Sequence, residues 1–235
     1  MSEAGVGQSY MAKYNVRDIH IDIYRYNWYT VYSLTRIINM KLFLGGMVMS
    51  LIGKKVSEFN LDAYKQGEFV KVSDKDLAGK WSVLFFYPAD FTFVCPTELE
   101  DLQNKYDEFQ KEGCEIYSIS CDSHFVHKAW HESSERIGKV QYTMVGDPTA
   151  ALAKDLDVYI ENEGMTERGT FVINPEGEVV LYEVSAGNIG RNADELLRKV
   201  KAAKFVHEHG DQVCPAKWQP GEETLKPSFD LVGKL

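Results

Sequence analysis

Residues Trp81–Glu98 read WSVLFFYPADFTFVCPTE, and the rest of the chain can be placed outward from them. WSVLFFY is aromatic and aliphatic with little alternation, the pattern of a buried strand. Pro88 breaks it, because proline has no N–H to donate to a ladder. A short loop, ADFTFV, delivers Cys95, and Pro96 suits the first turn of a helix. TELEDLQNKYDEFQKEG then reads as one amphipathic helix: Leu99, Leu102, Tyr106 and Phe109 recur at threes and fours, and Gly113 stops it. A cysteine at a strand-to-helix junction lies near unsatisfied helix N–H groups, which favour the nucleophilic thiolate. A buried structural cysteine is the plainer reading. The loop position, the two prolines and Thr92 just upstream turn it toward a reactive thiol.

The chain has 235 residues, enough for one α/β domain with an addition. Its 44% hydrophobic and 26% charged content is ordinary globular usage. A formal net charge of -9 argues against nucleic acid or an anionic membrane as the main partner. Four cysteines, Cys95, Cys114, Cys121 and Cys214, are too sparse for a disulfide scaffold, and none forms a CxxC pair. A redox or nucleophilic role for one or two of them fits a reducing cytoplasm, the expected location.

Residues 1–48 differ in character. They hold five Lys/Arg against three Asp/Glu, and Tyr24, Tyr26, Tyr29 and Tyr32 crowd a stretch with no clear period. Arg36, Asn39 and Lys41 interrupt its apolar pieces, so neither a membrane span nor a secretory signal is expected. Asp18 and Asp22 fit a targeting presequence poorly. The segment reads as an accessory extension, native or from an upstream start, with a domain of residues 49–235 opening at Met49.

Within that domain, VSEFNLDAY, a KQG turn and EFVKVS form a hairpin, and SDKDLAGK a short helix capped by Ser73. CEIYSISCD is a second core strand, with Cys114 and Cys121 as packing thiols at its ends. Ser123–Arg136 is helical, with Phe125, Ala129 and Trp130 on its apolar side. His124, His127 and His131 share a spacing that makes them a surface row rather than a metal site. Gln141–Val145 is a strand and Thr149–Leu156 a short helix. Gly169–Ile173 and EVVLYEV form a hairpin about NPEG, and a last helix runs from Asn192 or Asp194 through His209. The succession implies an α/β sandwich with a mixed sheet.

A nucleophilic Cys95 needs a cation nearby. Arg168, at a strand entrance, is the first candidate, with Arg136 and Arg191 as alternatives. Thr92 could offer its hydroxyl to the sulfur or a bound oxygen, and Glu98 could orient the arginine. If the sulfur is oxidised by a peroxide, its sulfenic acid condenses with a second thiol. Cys214, in a turn-rich and exposed tail, fits that role. No glycine-rich nucleotide fingerprint is present, so electrons must come from a separate protein.

Pro88, Thr92 and Cys95 reproduce the PxxxTxxC motif of peroxiredoxins. With DSHFVHKAW, VGDPT, ERGTFVINPEG, LLRKVKAAKFV and VCPAKW, the chain from Met49 to Leu235 resembles the peroxidase subunit of bacterial alkyl hydroperoxide reductases. The resemblance implies a thioredoxin-like fold, a central mixed sheet flanked by helices, and a two-cysteine mechanism without metal or cofactor. Cys95 would attack hydrogen peroxide or an organic hydroperoxide. Pro88 would shield the pocket, Thr92 and Arg168 would hold the peroxide oxygens, and Glu98 would fix the arginine. Cys214 would resolve the sulfenic acid from the opposite subunit of a homodimer, with dimers assembling into a ring-shaped decamer. A separate NADH-dependent flavoprotein disulfide reductase, or a thioredoxin-like protein, would return the electrons. The GGLG and C-terminal YF motifs of peroxidation-sensitive relatives are missing, which implies that Cys95 resists over-oxidation. A rival thioredoxin-type oxidoreductase would want CxxC where residues 95–98 are CPTE, and a holdase scaffold would work without Cys95.

Overall fold

The computed structural model describes residues 50–234, so the expected extension of residues 1–48 lies outside the described residues. The centre is a seven-stranded mixed sheet in the order β2-β1-β5-β4-β3-β8-β9. Its strands are β1 (Asn60–Lys65), β2 (Glu68–Ser73), β3 (Trp81–Phe86), β4 (Cys114–Ser120), β5 (Thr143–Gly146), β8 (Arg168–Ile173) and β9 (Val179–Ser185). β3 pairs in parallel with β4 and antiparallel with β8, while β4 pairs in parallel with β5. All six residues of β3 are buried. Successive side chains leave opposite faces of a strand, and β3 feeds two cores accordingly. Val83 and Phe85 join one with Leu99, Leu102, Trp130, Leu197 and Val200. Leu84 and Phe86 join the other with Leu77, Leu152, Leu156, Phe171 and Ile173. A continuous apolar run is what a strand covered on both sides requires.

The helices are α1 (Cys95–Asn104), α2 (Tyr106–Lys111), α3 (His124–Ser133), α4 (Ala151–Asp155) and α5 (Ala193–Glu208). The helix expected after Cys95 is broken in two. At Lys105 the backbone N–H bonds to Leu102 three residues back, which tightens and ends α1, and Lys105 reaches Asp194 at 2.7 Å. Leu99, Leu102, Tyr106 and Phe109 are nevertheless all buried, as their spacing predicts.

The β1–β2 hairpin turns on Gln66 and Gly67, both at positive φ (45° and 95°), the geometry a two-residue turn needs to match strand twist. At the end of β5, a Cβ on Gly146 would stand 2.8 Å from the Asp122 carbonyl, so only glycine lets β5 approach the β4–α3 loop. Asn192 caps α5 by accepting from the Glu195 N–H at 3.0 Å. A small hairpin of β6 (Tyr159–Ile160) and β7 (Met165–Thr166) was not expected from the sequence and precedes β8.

Two sequence expectations need correction. In α3, Phe125 and Ala129 face outward and only Trp130 of the three is buried, while His127 is fully buried instead of belonging to a surface row. Phe125 instead joins Phe69 and His124 in an exposed ring cluster, with centroids 4.0–5.2 Å apart. The tail is less free than its turn-rich composition suggests. Trp218 is buried, packs 4.9 Å from Phe205 of α5, and its carbonyl accepts from Arg198, so Cys214 is half-buried rather than exposed.

Candidate active site

β3 ends, Pro88 turns the chain, and a six-residue loop carries it to Cys95, the first residue of α1. Cys95 is fully buried at the floor of a cavity of about 410 Å³ whose walls include Pro88, Thr92, Phe93 and Val94 on one side and Ile160 and Met165 on the other. β8 lies beside β3, and its first residue is Arg168. That adjacency brings a guanidinium 73 residues away in sequence to the sulfur: Arg168 Nη1 donates to Cys95 Sγ at 3.3 Å.

The same Nη1 donates to Glu98 Oε2 at 2.7 Å, while Nε and Nη2 donate to the Gly187 carbonyl at 3.0 and 2.6 Å. Glu98 lies one helical turn beyond Cys95 and is buried. Its other oxygen accepts from the Arg191 backbone N–H at 2.8 Å and from Arg191 Nε at 2.9 Å. Arg191 is itself fixed. Its Nη1 donates to the Gly169 carbonyl and to Thr170 Oγ1, and its guanidinium carbon stacks 3.4 Å from the centre of the Phe85 ring. The chain of support therefore runs from Phe85 through Arg191 and Glu98 to Arg168 and the sulfur.

Two buried guanidiniums against one carboxylate leave one positive charge unbalanced beside Sγ. Burial opposes the charge on Glu98, but the hydrogen bonds and charges of Arg191 and Arg168 outweigh it and hold the carboxyl below its ordinary value. For Arg168, burial is outweighed by the hydrogen bond to Cys95 and the charge of Glu98, which raise it further.

Of the three arginines considered from sequence, Arg168 reaches the sulfur and Arg191 holds Glu98. Arg136 is exposed, and its ion pair is with Glu100 at 3.5 Å. The Thr92 hydroxyl donates to the Ala89 carbonyl at 2.8 Å, closing the loop, so its oxygen is left to accept on the cavity side. The Gly187 carbonyl carried no sequence signal, being a backbone atom.

Cys214 is not in this cavity. It lines a separate groove of about 630 Å³ with Trp81, Leu181, Ala202 and Val206, and its sulfur lies 3.9 Å from the Ala202 carbonyl. Burial pushes the Cys114 thiol up to about 12 and the Cys121 thiol up to about 11, values that suit packing groups. Among the described residues, no group of three His, Cys, Asp or Glu side chains is placed to hold a metal, and no helix is long and apolar enough to cross a membrane.

Comparison with known proteins agrees with this arrangement. Residues 52–182 match the model of the AhpC/TSA family, and residues 202–235 match the C-terminal domain of 1-Cys peroxiredoxin. The alkyl hydroperoxide reductase C of Salmonella typhimurium is 57% identical over 187 residues, covering 80% of this chain and all of that protein. Its Bacillus subtilis counterpart is 55% identical over the same length, with the same coverage of both chains. Among solved structures, Enterococcus faecalis AhpC is 53% identical with a TM-score of 0.70, covering 71% of this chain and 100% of its own. The reduced 2-Cys peroxiredoxin of Plasmodium vivax is 33% identical with a TM-score of 0.74, covering 77% and 96%. A thioredoxin-like sheet, a thiol at a helix start under an arginine, and this degree of likeness lead to one conclusion: the chain belongs to the AhpC/TSA family and is a thiol peroxidase that works by cysteine redox chemistry.

Proposed function

We propose that Cys95 is the thiol that reduces hydroperoxides and that Cys214 of a partner subunit resolves it. The observation that carries this reading is the Arg168 Nη1 to Cys95 Sγ hydrogen bond at the floor of the Pro88–Thr92 cavity. The Cys95 thiolate attacks the terminal oxygen of R–O–O–H. The S–O bond forms as the O–O bond breaks, and the alkoxide leaves and takes a proton to become R–OH. Arg168 faces both the sulfur and the oxygen on which charge develops, the Thr92 oxygen accepts a hydrogen bond from the peroxide O–H, whose hydrogen stays on the transferred oxygen, and solvent supplies the alkoxide's proton. Pro88 keeps water from the sulfur, and Glu98 keeps the guanidinium aimed.

The resulting sulfenic acid condenses with the Cys214 thiol, giving a disulfide and one water. Cys214 opens on a different cavity from Cys95 in the same chain, which favours a partner's Cys214 over the chain's own. Electrons return from a separate dithiol protein, because the chain has no nucleotide-binding fingerprint. That protein is a flavoprotein disulfide reductase or a thioredoxin-like protein, as the family resemblance implies, and the names of the relatives, alkyl hydroperoxide reductase C, favour organic hydroperoxides beside hydrogen peroxide as substrates. Residues 49–235 form the working unit, in the cytoplasm. The Phe69–His124–Phe125 cluster, with both phenylalanines at least half exposed, is an apolar patch suited to packing dimers into a ring of ten.

The test is intact mass and non-reducing electrophoresis of the wild type, C95S and C214S after one equivalent of hydroperoxide. The reading expects a crosslinked dimer only when both cysteines are present, and a sulfenic acid on Cys95 trapped by dimedone in C214S. Peroxide consumption that survives C95S would overturn it.

A further inference from the structure

Tyr87, Asp90 and His127 make a buried hydrogen-bonded set that takes no part in the peroxide chemistry. Asp90 Oδ1 accepts from Tyr87 Oη at 2.7 Å, and Asp90 Oδ2 lies 2.7 Å from His127 Nδ1. A carboxylate only accepts, so Nδ1 carries the imidazole proton. Tyr87 Oη is also 3.4 Å from His127 Nδ1, and the Nε2 atom is buried with no protein partner, so the ring's polar hold is on Asp90 and Tyr87. Burial, then the charge of Asp90, raises the Tyr87 phenol well above its ordinary value, so it stays a donor. Two more tethers reach the same turn. The Asp90 N–H donates to Asp122 Oδ2 at 2.9 Å, and Thr166 Oγ1 of β7 donates to the Tyr87 carbonyl at 2.9 Å.

Within itself the turn is closed by one side-chain hydrogen bond, from the Thr92 hydroxyl to the Ala89 carbonyl, and the other polar holds come from its neighbours. Phe91 has a φ of 55°, a left-handed conformation that costs an aromatic residue free energy. Phe93 is 93% exposed, and Phe91, 58% exposed, meets the buried Trp130 ring at 5.9 Å between centres, so ring burial holds the loop only in part. A strained, weakly buried loop persists only when surrounding contacts over-determine it.

We propose that Tyr87, Asp90 and His127 are positioning residues forming a latch that holds the Pro88–Val94 loop closed over Cys95. On the two-cysteine reading above, on which this inference rests, the latch must release before Cys95 can leave its cavity and meet a second thiol. Closed, it presents Thr92 and Cys95 for peroxide attack. Open, it lets the first turn of α1 unwind. The two half-reactions therefore make opposite demands on it.

Y87F removes one tether and keeps the ring, and D90N leaves one acceptor oxygen for two donors, removes the charge and turns an NH₂ toward the donor that is left. Two measurements on the full-length protein decide the matter. Hydrogen–deuterium exchange of the reduced protein should speed up in residues 88–98 by about threefold to tenfold in Y87F, the effect of one buried hydrogen bond, and by more in D90N. Stopped-flow tryptophan fluorescence with hydrogen peroxide should show the peroxide step slowing several-fold while the disulfide step accelerates by a similar factor. A merely structural role would not move the two steps in opposite directions. Unchanged exchange across residues 88–98 in Y87F, or a disulfide step that slows along with the peroxide step, overturns the latch. If D90N does not fold, Y87F decides alone. If the wild type forms no Cys95 sulfenic acid, the two-cysteine reading fails, and the exchange result still decides whether the three residues hold the loop.

Discussion

Replacing Glu98 with Gln removes one negative charge from between two buried guanidiniums with almost no change in side-chain shape. Glu98 accepts four hydrogen bonds between 2.7 and 3.0 Å: one from Arg168 Nη1, and three from the Arg191 backbone N–H, Nε and Nη2. Gln offers one acceptor oxygen and turns an NH₂ toward donors that cannot accept. Removing one partner of a buried ion pair costs about 3–5 kcal/mol, because the remaining charge is left uncompensated. For a domain of this size that corresponds to a fall in Tm of roughly 6–20 °C. Arg168 keeps Gly187 but loses its second anchor, and misplacement of a catalytic group by about 1 Å costs on the order of 10²-fold in rate. The assays are thermal melting at one fixed protein concentration, since assembly shifts the midpoint, and stopped-flow measurement of the peroxide step. The pH dependence has a definite sign. Glu98 is held below its ordinary value of 4.5, so its contribution is complete above that pH and is lost as pH falls through the depressed folded value. The stability gap between E98Q and wild type should be flat from pH 6 to 8 and close only in acid. A Tm within about 3 °C of wild type, together with a peroxide step within threefold, would refute the view that Glu98 holds the arginine.

Three further outcomes are expected. R168K keeps the charge but cannot hold Gly187, Glu98 and the sulfur at once; it should slow the peroxide step by about 10²–10³-fold, read in the same stopped-flow trace. With N-ethylmaleimide at pH 8, Cys114 of the native protein should stay unlabelled by peptide mass spectrometry and Cys121 should react more slowly than Cys214, because burial pushes their thiols up to about 12 and about 11 and Cys114 is also shielded from solvent. Burial raises the Cys214 thiol above its ordinary value, slightly offset by Arg198. If the reduced-state environment governs the second step, disulfide formation should quicken by about tenfold per pH unit between pH 7 and 8.5; a flat profile would show that loop opening limits it.

The run around Cys95 was legible because its signals are local. An apolar stretch covered on both faces, a proline stop and a thiol at a helix start follow from residue order alone. Arg168 was legible as a strand entrance, and the family resemblance singled it out over Arg191 and Arg136; its contact with the sulfur rests on the β3–β8 adjacency, a pairing between segments far apart in sequence. Arg191 proved to be a second layer, and the Gly187 carbonyl could not have been foreseen from side chains. The apolar side assigned to α3 failed because an exposed aromatic face and a core face share one helical period. Phe125 and Ala129 read as inward when Trp130 and His127 are the residues that face the core. Asp90 gave no sign of its role, since an Asp before a helix reads equally well as a turn residue. The tail misled by composition: turn-rich sequence suggested freedom, but a single buried Trp218 fastens it to α5.

Cys95 takes the peroxide oxygen on the mechanism proposed, and a partner's Cys214 removes it. Natural-abundance and ¹⁵N-labelled protein, unfolded together, refolded as a mixture and treated with one equivalent of hydrogen peroxide, test this most directly. Mass spectrometry of the Cys95–Cys214 disulfide-linked peptides should show mixed-isotope pairs at about half of the total, as random pairing of subunits requires. Linked peptides carrying only one isotope would place the bond within a chain and contradict the account.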